Sequence, residues 1–361
     1  MEANFPQLSE LQETAASVTG RATSVALLYG GTSSEREVSI ASGNEVRRVL
    51  EQEGFSVFFI DTKATDFIDE LRAARPDVAF IALHGKGGED GCIQGFLETL
   101  GIPYTHSGVE ASALAMDKQV SKILYRIRGL VTAEFSVVRK DQFSPQAHAG
   151  CGNIGNKRAG RQFSPQAHTD LLLEAIGLPC VVKPVCDGSS FGVSIPKTRD
   201  EFLHALDNGF EGDDTLMVEQ FIRGTEVTVP VLGNDYEELL ALPVIEIVPK
   251  NEFYDYESKY EEGGSEHIIP ARITETEAAA CQQAAIDAHD VLGCAGVSRT
   301  DMIVAEDGTL WLIETNTIPG MTRTSLIPED AKKVGLTPGE LYRLLIHFAL
   351  ERANYDKAKK C

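Results

Sequence analysis

Disulfide and zinc spacings are missing from this chain. Its seven cysteines (Cys92, Cys151, Cys180, Cys186, Cys281, Cys294 and Cys361) form no Cys-x-x-Cys pair. Scattered thiols without a framework suit a reducing, cytoplasmic setting. No apolar run is long enough to cross a bilayer, and the N-terminus has no charged-then-apolar leader pattern, so neither membrane insertion nor secretion is expected. Positive charge is scarce. Lys and Arg number 33 against 54 Asp and Glu, a formal net charge of −21, which argues against a nucleic-acid partner. A polyanionic substrate must then meet a local cluster of cations. Two nucleotide motifs are also absent. No Gly-x-x-x-x-Gly-Lys-[Ser/Thr] occurs, and Gly30-Gly31-Thr32-Ser33-Ser34-Glu35 is not Gly-x-Gly-x-x-Gly.

What is present suits a soluble α/β protein. At 361 residues, 43% hydrophobic and 24% charged, the chain is expected to form two or three domains. Residues 1–21 read as a flexible extension holding at most one short helix. Strands over Val25–Tyr29, Phe55–Ile60 and Val78–Leu83 alternate with helical stretches, which predicts a small parallel-sheet domain over 22–118. Ser34 and Glu37 match a capping box for its first helix, with Gly54 as the C-terminal stop. Gly30-Gly31-Thr32-Ser33 and His84-Gly85 follow strands, where ligands of such sheets bind. A second α/β unit is expected over 119–215, with a helix from Gln119 to Arg128 and a buried strand Val181-Val182-Lys183-Pro184. From 216 to 361 the pattern is mainly β, with strands over Leu216–Phe221, Glu226–Val231 and Leu239–Ile247 covered by helices Glu275–Leu292 and Pro338–Ala353. The heptapeptide Gln-Phe-Ser-Pro-Gln-Ala-His occurs twice, at Gln142–His148 and Gln162–His168. The glycine-rich interval cannot build a core, so about 142–161 reads as a slipped duplication forming a disordered surface loop.

One hairpin carries the most chemistry. Arg299-Thr300-Asp301-Met302-Ile303-Val304 and Thr309-Leu310-Trp311-Leu312-Ile313-Glu314-Thr315-Asn316 flank Asp307-Gly308, a strong turn signal. A turn centred there pairs Asp301 with Glu314 and Arg299 with Asn316, so all four project from one face. Two carboxylates and an amide are hard ligands suited to Mg²⁺, and the arginine suits phosphate or an oxyanion. A solvated hairpin with a cross-strand ion pair is the plainer alternative. The sharp polar loop Pro319-Gly320-Met321-Thr322 that follows is more than a solvated edge needs. Lys183 ends an apolar run, and a half-buried lysine needs an anionic partner, which phosphate would supply. Lys118 and Lys259 could join it. Glu219 ends a strand whose edge backbone could read adenine, and Glu226 lies just beyond.

These motifs together resemble the D-alanine–D-alanine ligase family of the ATP-grasp superfamily. The matching stretches are Gly30 to Ser39, Leu83-His84-Gly85 with Gly88-Glu89-Asp90-Gly91, Met116-Asp117-Lys118, Val182-Lys183-Pro184 and Asp187-Gly188-Ser189-Ser190. They continue with Phe253 to Tyr260, Arg299-Thr300-Asp301 and Glu314 to Thr322. The resemblance implies a three-domain α/β ATP-grasp architecture with an N-terminal parallel-sheet domain. It implies ATP and two Mg²⁺ ions, with Mn²⁺ able to substitute, and two D-alanines joined through D-alanyl phosphate for peptidoglycan synthesis. It implies Lys118, Lys183, Lys259 and Ser190 at the nucleotide, Glu219 at adenine, Glu226 at ribose, and Asp301, Glu314 and Asn316 at the metals. Glu35 would take the first D-alanine's ammonium, and Ser325 and Leu326 the second one's carboxylate. Arg299, His84 and the Gly320 amide would stabilise the oxyanion. Residues 251–265 would form a lid whose Tyr260 pairs with Ser189 and Glu35. A homodimer is implied as well. Two other readings are a ligase taking D-lactate or D-serine second, and a nucleotide-binding regulator without catalysis. The filled metal and phosphate positions disfavour the regulator.

Overall fold

The computed structural model describes residues 7–143, 165–186, 192–234, 239–249 and 265–359. Helix α1 (Leu8–Ser17) precedes β1 (Ser24–Tyr29), α2 (Arg36–Gln52), β2 (Ser56–Asp61), α3 (Phe67–Ala74), β3 (Val78–Ile81) and α4 (Cys92–Leu100). The strands form a parallel sheet in the order β2-β1-β3. Four successive residues of β1 are buried, as a central parallel strand covered on both faces requires. The α2 boundary corrects one expectation. Ser34 is not the cap. Glu35 holds that position without a side-chain cap bond, and Ser33 sends its hydroxyl to the His84 carbonyl at 2.7 Å. The Glu35 side chain is thereby left for the cavity described below. Gly54, at φ +83°, ends α2 as foreseen: its amide bonds the Glu51 carbonyl and the Phe55 amide bonds that of Leu50.

The middle of the chain adds α5 (Val109–Met116), α6 (Lys118–Arg128), β4 (Phe135–Arg139), α7 (Lys140–Phe143), α8 (Pro165–Ile176), β5 (Cys180–Pro184), α9 (Arg199–Gly212) and β6 (Thr215–Gln220). Asp117 caps α6 by accepting from the Gln119 and Val120 amides at 2.9 and 3.1 Å. The sheet order is β4-β6-β5, so β6 is a central strand here, although the expected boundary at 216 assigned most of it to the following unit. Helix α6 also crosses that boundary, since its fully buried Tyr125 packs in the core of the third sheet.

That sheet holds β7 (Gly224–Gly233), β8 (Leu240–Ala241), β9 (Ile245–Pro249), β10 (Ser265–Ile268), β11 (Gly296–Ala305) and β12 (Leu310–Asn316). Its order is β10-β9-β7-β11-β12, with β8 also on β7. The strand expected over 239–247 is split in two. The Leu242 amide still continues the β8 ladder to the Pro230 carbonyl at 2.9 Å, Pro243 lacks an amide donor, and β9 resumes on β7 one residue out of register. Helix α10 (Glu275–Leu292) covers one face behind a complete Thr274–Glu277 capping box. Helices α11 (Leu326–Lys333) and α12 (Pro338–Lys359) complete the chain, and α12 packs beneath the first sheet. Helix α1 packs on the same core with Ala15 and Val18 buried, so the extension expected to be loose is anchored from residue 8 onward.

The hairpin register holds at the functional end for a reason the sequence reading missed. The turn is Glu306-Asp307-Gly308, one residue longer than expected. It is closed by Ala305 N–H to Thr309 O and Gly308 N–H to Ala305 O, both 2.9 Å. That pairs Met302 with Leu312, one position off. A bulge at Ile313 then restores Asp301 opposite Glu314 and Arg299 opposite Asn316. Beside the bulge, Leu312 bonds outward to the Val131 carbonyl and the Thr132 hydroxyl, each at 2.9 Å. Underneath, Tyr125 donates to Thr315 Oγ1 at 2.7 Å, which contacts Thr300 Oγ1 at 3.0 Å. Tyr125→Phe is expected to cost about 1 kcal/mol or slightly more, the net worth of one buried hydrogen bond. Urea unfolding would measure it, and an unchanged midpoint would contradict the anchoring role.

Candidate active site

Beyond the ends of β1 and β3, and above the open end of the β11–β12 hairpin, lies a cavity of about 1160 Å³. Glu35, His84, Lys118, Arg299, Glu314 and Asn316 line it, as do Gly320, Ser325 and Leu326. Nine residues singled out from sequence therefore meet in one place. Asp301 lies just behind them. Ser189, Ser190, Lys259 and Tyr260 fall outside the described residues, as do 144–164 of the duplicated segment and 251–264 of the expected lid.

The hairpin polar groups are engaged with one another. Arg299 donates through Nε to Asp301 Oδ1 at 2.9 Å and through Nη2 to Oδ2 at 3.0 Å, and Thr228 Oγ1 reaches Oδ1 at 2.5 Å. Across the ladder Glu314 lies 3.3 Å from Lys118 Nζ. The Asn316 amide orients with its nitrogen donating to Glu89 Oε1 at 3.1 Å and its oxygen accepting from Arg299 Nη2 at 2.7 Å. Two carboxylates and an amide oxygen on one sheet face fit a hard divalent cation by donor type. Among the described residues no three His, Cys, Asp or Glu side chains converge as a ready-made metal cluster. The cations at these carboxylates would have to be shared with an incoming ion and its phosphates.

A second charge cluster adjoins the first through α6. Lys118 and Lys122 lie one turn apart, on one helix face. Lys122 reaches Glu219 Oε2 at 2.9 Å and the Thr132 hydroxyl at 2.6 Å, while Lys183 reaches Glu219 Oε1 at 2.5 Å. All three charged groups are buried. Burial alone would raise the Glu219 pKa, but Lys183 and Lys122 outweigh it and bring it to about 2. Burial pushes the Lys122 ammonium pKa down, against the pull of Glu219. Two expectations change. The partner of Lys183 is Glu219, not only a ligand phosphate. Glu219 is also not at a sheet edge, because its backbone lies between Phe135 and Val181 in adjacent strands. Only after Gln220 does this backbone leave the sheet. Glu226 stands half-buried on β7 opposite Ile303.

His84 differs from its expected role. Its Nδ1 faces the Ile318 carbonyl at 3.1 Å, and a carbonyl only accepts, so Nδ1 carries the proton. Its Nε2 meets Ser42 Oγ at 3.0 Å, and Ser42 accepts from the Met321 amide at 3.3 Å. Burial, reinforced by Arg299 and opposed by the Ile318 carbonyl, lowers the His84 pKa to about 4, so the ring is neutral. No ring N–H remains for an oxyanion. His84 instead fastens the 318–321 loop, which Tyr342 also holds by donating to the Met321 carbonyl at 3.1 Å. A Cβ at Gly320 on that loop would stand 2.9 Å from Ser325 Oγ, so that hydroxyl would have to shift.

Two site residues went unassigned in the sequence reading. Glu89 accepts from the Gly85 amide at 2.8 Å, and burial followed by the Glu35 charge holds its pKa well above the usual carboxylate range. It sits inside a quoted glycine-rich motif, which was the available signal. Lys122 was signalled by its helical spacing from Lys118.

Similarity to known proteins can now be set beside this geometry. A family model described as D-ala D-ala ligase C-terminus matches residues 154–347, and one described as D-ala D-ala ligase N-terminus matches 62–107. The chain is 43% identical over 329 residues to the D-alanine–D-alanine ligase of Halalkalibacterium halodurans, covering 91% of this chain and 99% of that protein. It is 45% identical over 338 residues to the one from Desulfotalea psychrophila, covering 92% and 97%. The chain belongs to the D-alanine–D-alanine ligase family. Among solved structures, the Bacillus anthracis ligase complexed with ATP superimposes with a TM-score of 0.73 at 29% identity, covering 92% of this chain and 99% of that one. The α/β architecture is thus the ATP-grasp fold of the ligase family.

The pKa direction at His84 has a signed consequence. A folded pKa below the unfolded value of about 6.5 means its stabilising contribution is complete above that pH and is lost as pH falls toward the folded value. In NMR titration the His84 ring should stay a neutral Nδ1–H tautomer from pH 8 to about 5. A midpoint near its ordinary value would contradict the buried fastening.

Proposed function

We propose that this chain joins two D-alanines into D-alanyl-D-alanine, with conversion of ATP to ADP and phosphate, through a D-alanyl phosphate intermediate. The observation that carries this reading is the shared cavity. Glu35, Lys118, Arg299, Ser325 and Leu326 line one space, which supports an acid for an ammonium, cations for phosphate and oxyanion, and a helix start for a carboxylate.

A carboxylate is a poor electrophile, so it must first gain a leaving group. The first D-alanine binds with its ammonium at Glu35. Lys118 and Lys183, with Lys259, receive the ATP phosphates, and Glu219 and Glu226 face the adenosine. Asp301, Glu314 and Asn316 would hold Mg²⁺, which when bound neutralises phosphate charge during transfer. The second D-alanine lays its carboxylate against Ser325 and the Leu326 amide, where the positive end of α11 favours an anion. Its amine, once deprotonated, attacks the acyl carbon. Arg299 and the Gly320 amide stabilise the oxyanion, the carbon–oxygen bond to phosphate breaks, and phosphate leaves. Tyr260 and Ser189 would close the site with Glu35 and exclude water. The same reading makes the enzyme a cytoplasmic homodimer supplying peptidoglycan precursors.

ATP-dependent phosphate release should rise with D-alanine and yield dipeptide, with little response to D-lactate or D-serine. Release that ignores D-alanine would defeat the reading. Glu314→Gln should lower metal-dependent turnover on the order of 10–100-fold, with Tm shifted by only a few degrees. Equal loss of folding and turnover would remove Glu314 from the metal's ligands.

A further inference from the structure

Ser325 and Leu326 are useful only if the start of α11 stays fixed relative to the hairpin that carries Arg299. One tie is the chain itself, through residues 317–324. A second runs the other way around the cavity. Leu326 packs on Ile245 and Ile247 of β9, with Ile269 beside them. One helical turn on, and so on the same face, Glu329 Oε2 accepts from His267 Nδ1 at 2.8 Å. His267 lies on edge strand β10, and its register partner is Ile247. The apolar contact and the hydrogen bond therefore land at neighbouring points of the sheet edge. The imidazole is fixed at its other end too, with Nε2 3.1 Å from Ser265 Oγ. His267, Glu329 and Ser325 all line the cavity.

We infer that His267 and Glu329 are positioning residues for the second D-alanine, clipping the carboxylate-holding end of α11 to the sheet that carries Arg299 and Asp301. The inference rests on the ligase reading. Neither residue touches the reacting atoms in this account. The clip confines α11 so that Ser325 and the Leu326 amide meet a carboxylate without reorganisation. Glu329 is partly exposed, so the pair adds little to global stability and acts on geometry.

The test begins with the unmodified chain. If it forms no dipeptide, the ligase reading fails, and not merely the clip. Given dipeptide formation, the rate against D-alanine concentration resolves a donor and an acceptor KM. His267→Ala should raise the acceptor KM about tenfold, the effect of one hydrogen bond to a charged group. The donor KM, the KM for ATP and Tm should stay near their starting values. His267→Gln, which keeps an N–H donor, should recover most of the loss. Glu329→Ala should match His267→Ala, and the double variant should be no worse than either. Both D-alanine KM values rising together, additive effects of the two substitutions, or an unchanged acceptor KM would each overturn the clip.

Discussion

Burying a charge costs several kcal/mol unless an opposite charge and hydrogen bonds meet it, and the cavity is built around that constraint. Lys183 and Lys122 share Glu219, Lys118 faces Glu314, and Arg299 grips Asp301. Each of these four cations thus has an acidic partner in a chain of net charge −21. Pairing also sets the ionisation states. Glu219 stays charged although buried, because two ammonium groups offset its desolvation. Cations already held in place need less reorganisation to meet an anionic ligand.

The pairs are placed by backbone register. Asp301 and Glu314 meet because a longer turn and a bulge at Ile313 compensate each other. Either change alone would turn one strand's side chains to the opposite face. The bulge lies beside the 131–132 segment, and Thr132 there also receives Lys122. One short stretch therefore borders the hairpin edge and holds the lysine that orients Glu219. Helix α6 carries both Lys118 and Lys122, so the β4-β6-β5 sheet and the hairpin's sheet meet on a single helix face.

The extent to which this was legible follows from the range of each interaction. Helix Glu275–Leu292 coincides with its expected bounds, and the hairpin pairing was correct at Asp301 and Glu314, because periodicity and turn chemistry are local. Helices α5, α9 and α11 were not foreseen. Helix α9 has a Thr198-x-x-Glu201 start signal that went unread, with Thr198 Oγ1 accepting from the Glu201 amide at 3.3 Å, and α11 follows Ser325 inside what reads as loop. Partnerships were harder. Nothing local says that Lys183 turns to Glu219, or that β6 is central and not an edge, since those depend on which strands pair. His84 shows the limit best. Its two partners, Ser42 and Ile318, lie 42 and 234 residues away, so no motif around His84 could reveal that both ring nitrogens are occupied.

That occupancy divides the cavity into two electrostatic halves. On the hairpin side Lys118, Glu314 and Arg299 make the wall strongly charged. On the side of the 318–321 loop the wall is held by neutral bonds: His84 to Ile318, Ser42 to Met321 and Tyr342 to Met321. A protonated His84 would reverse its bond with the Ser42 hydroxyl and set a buried second cation facing Arg299, which already depresses its basicity. Neutrality at His84 is thus the counterpart of ionisation at Glu219. One keeps the loop that presents Gly320 fixed and the other keeps the lysines ordered; burial sets the first state, and the two lysines set the second against burial.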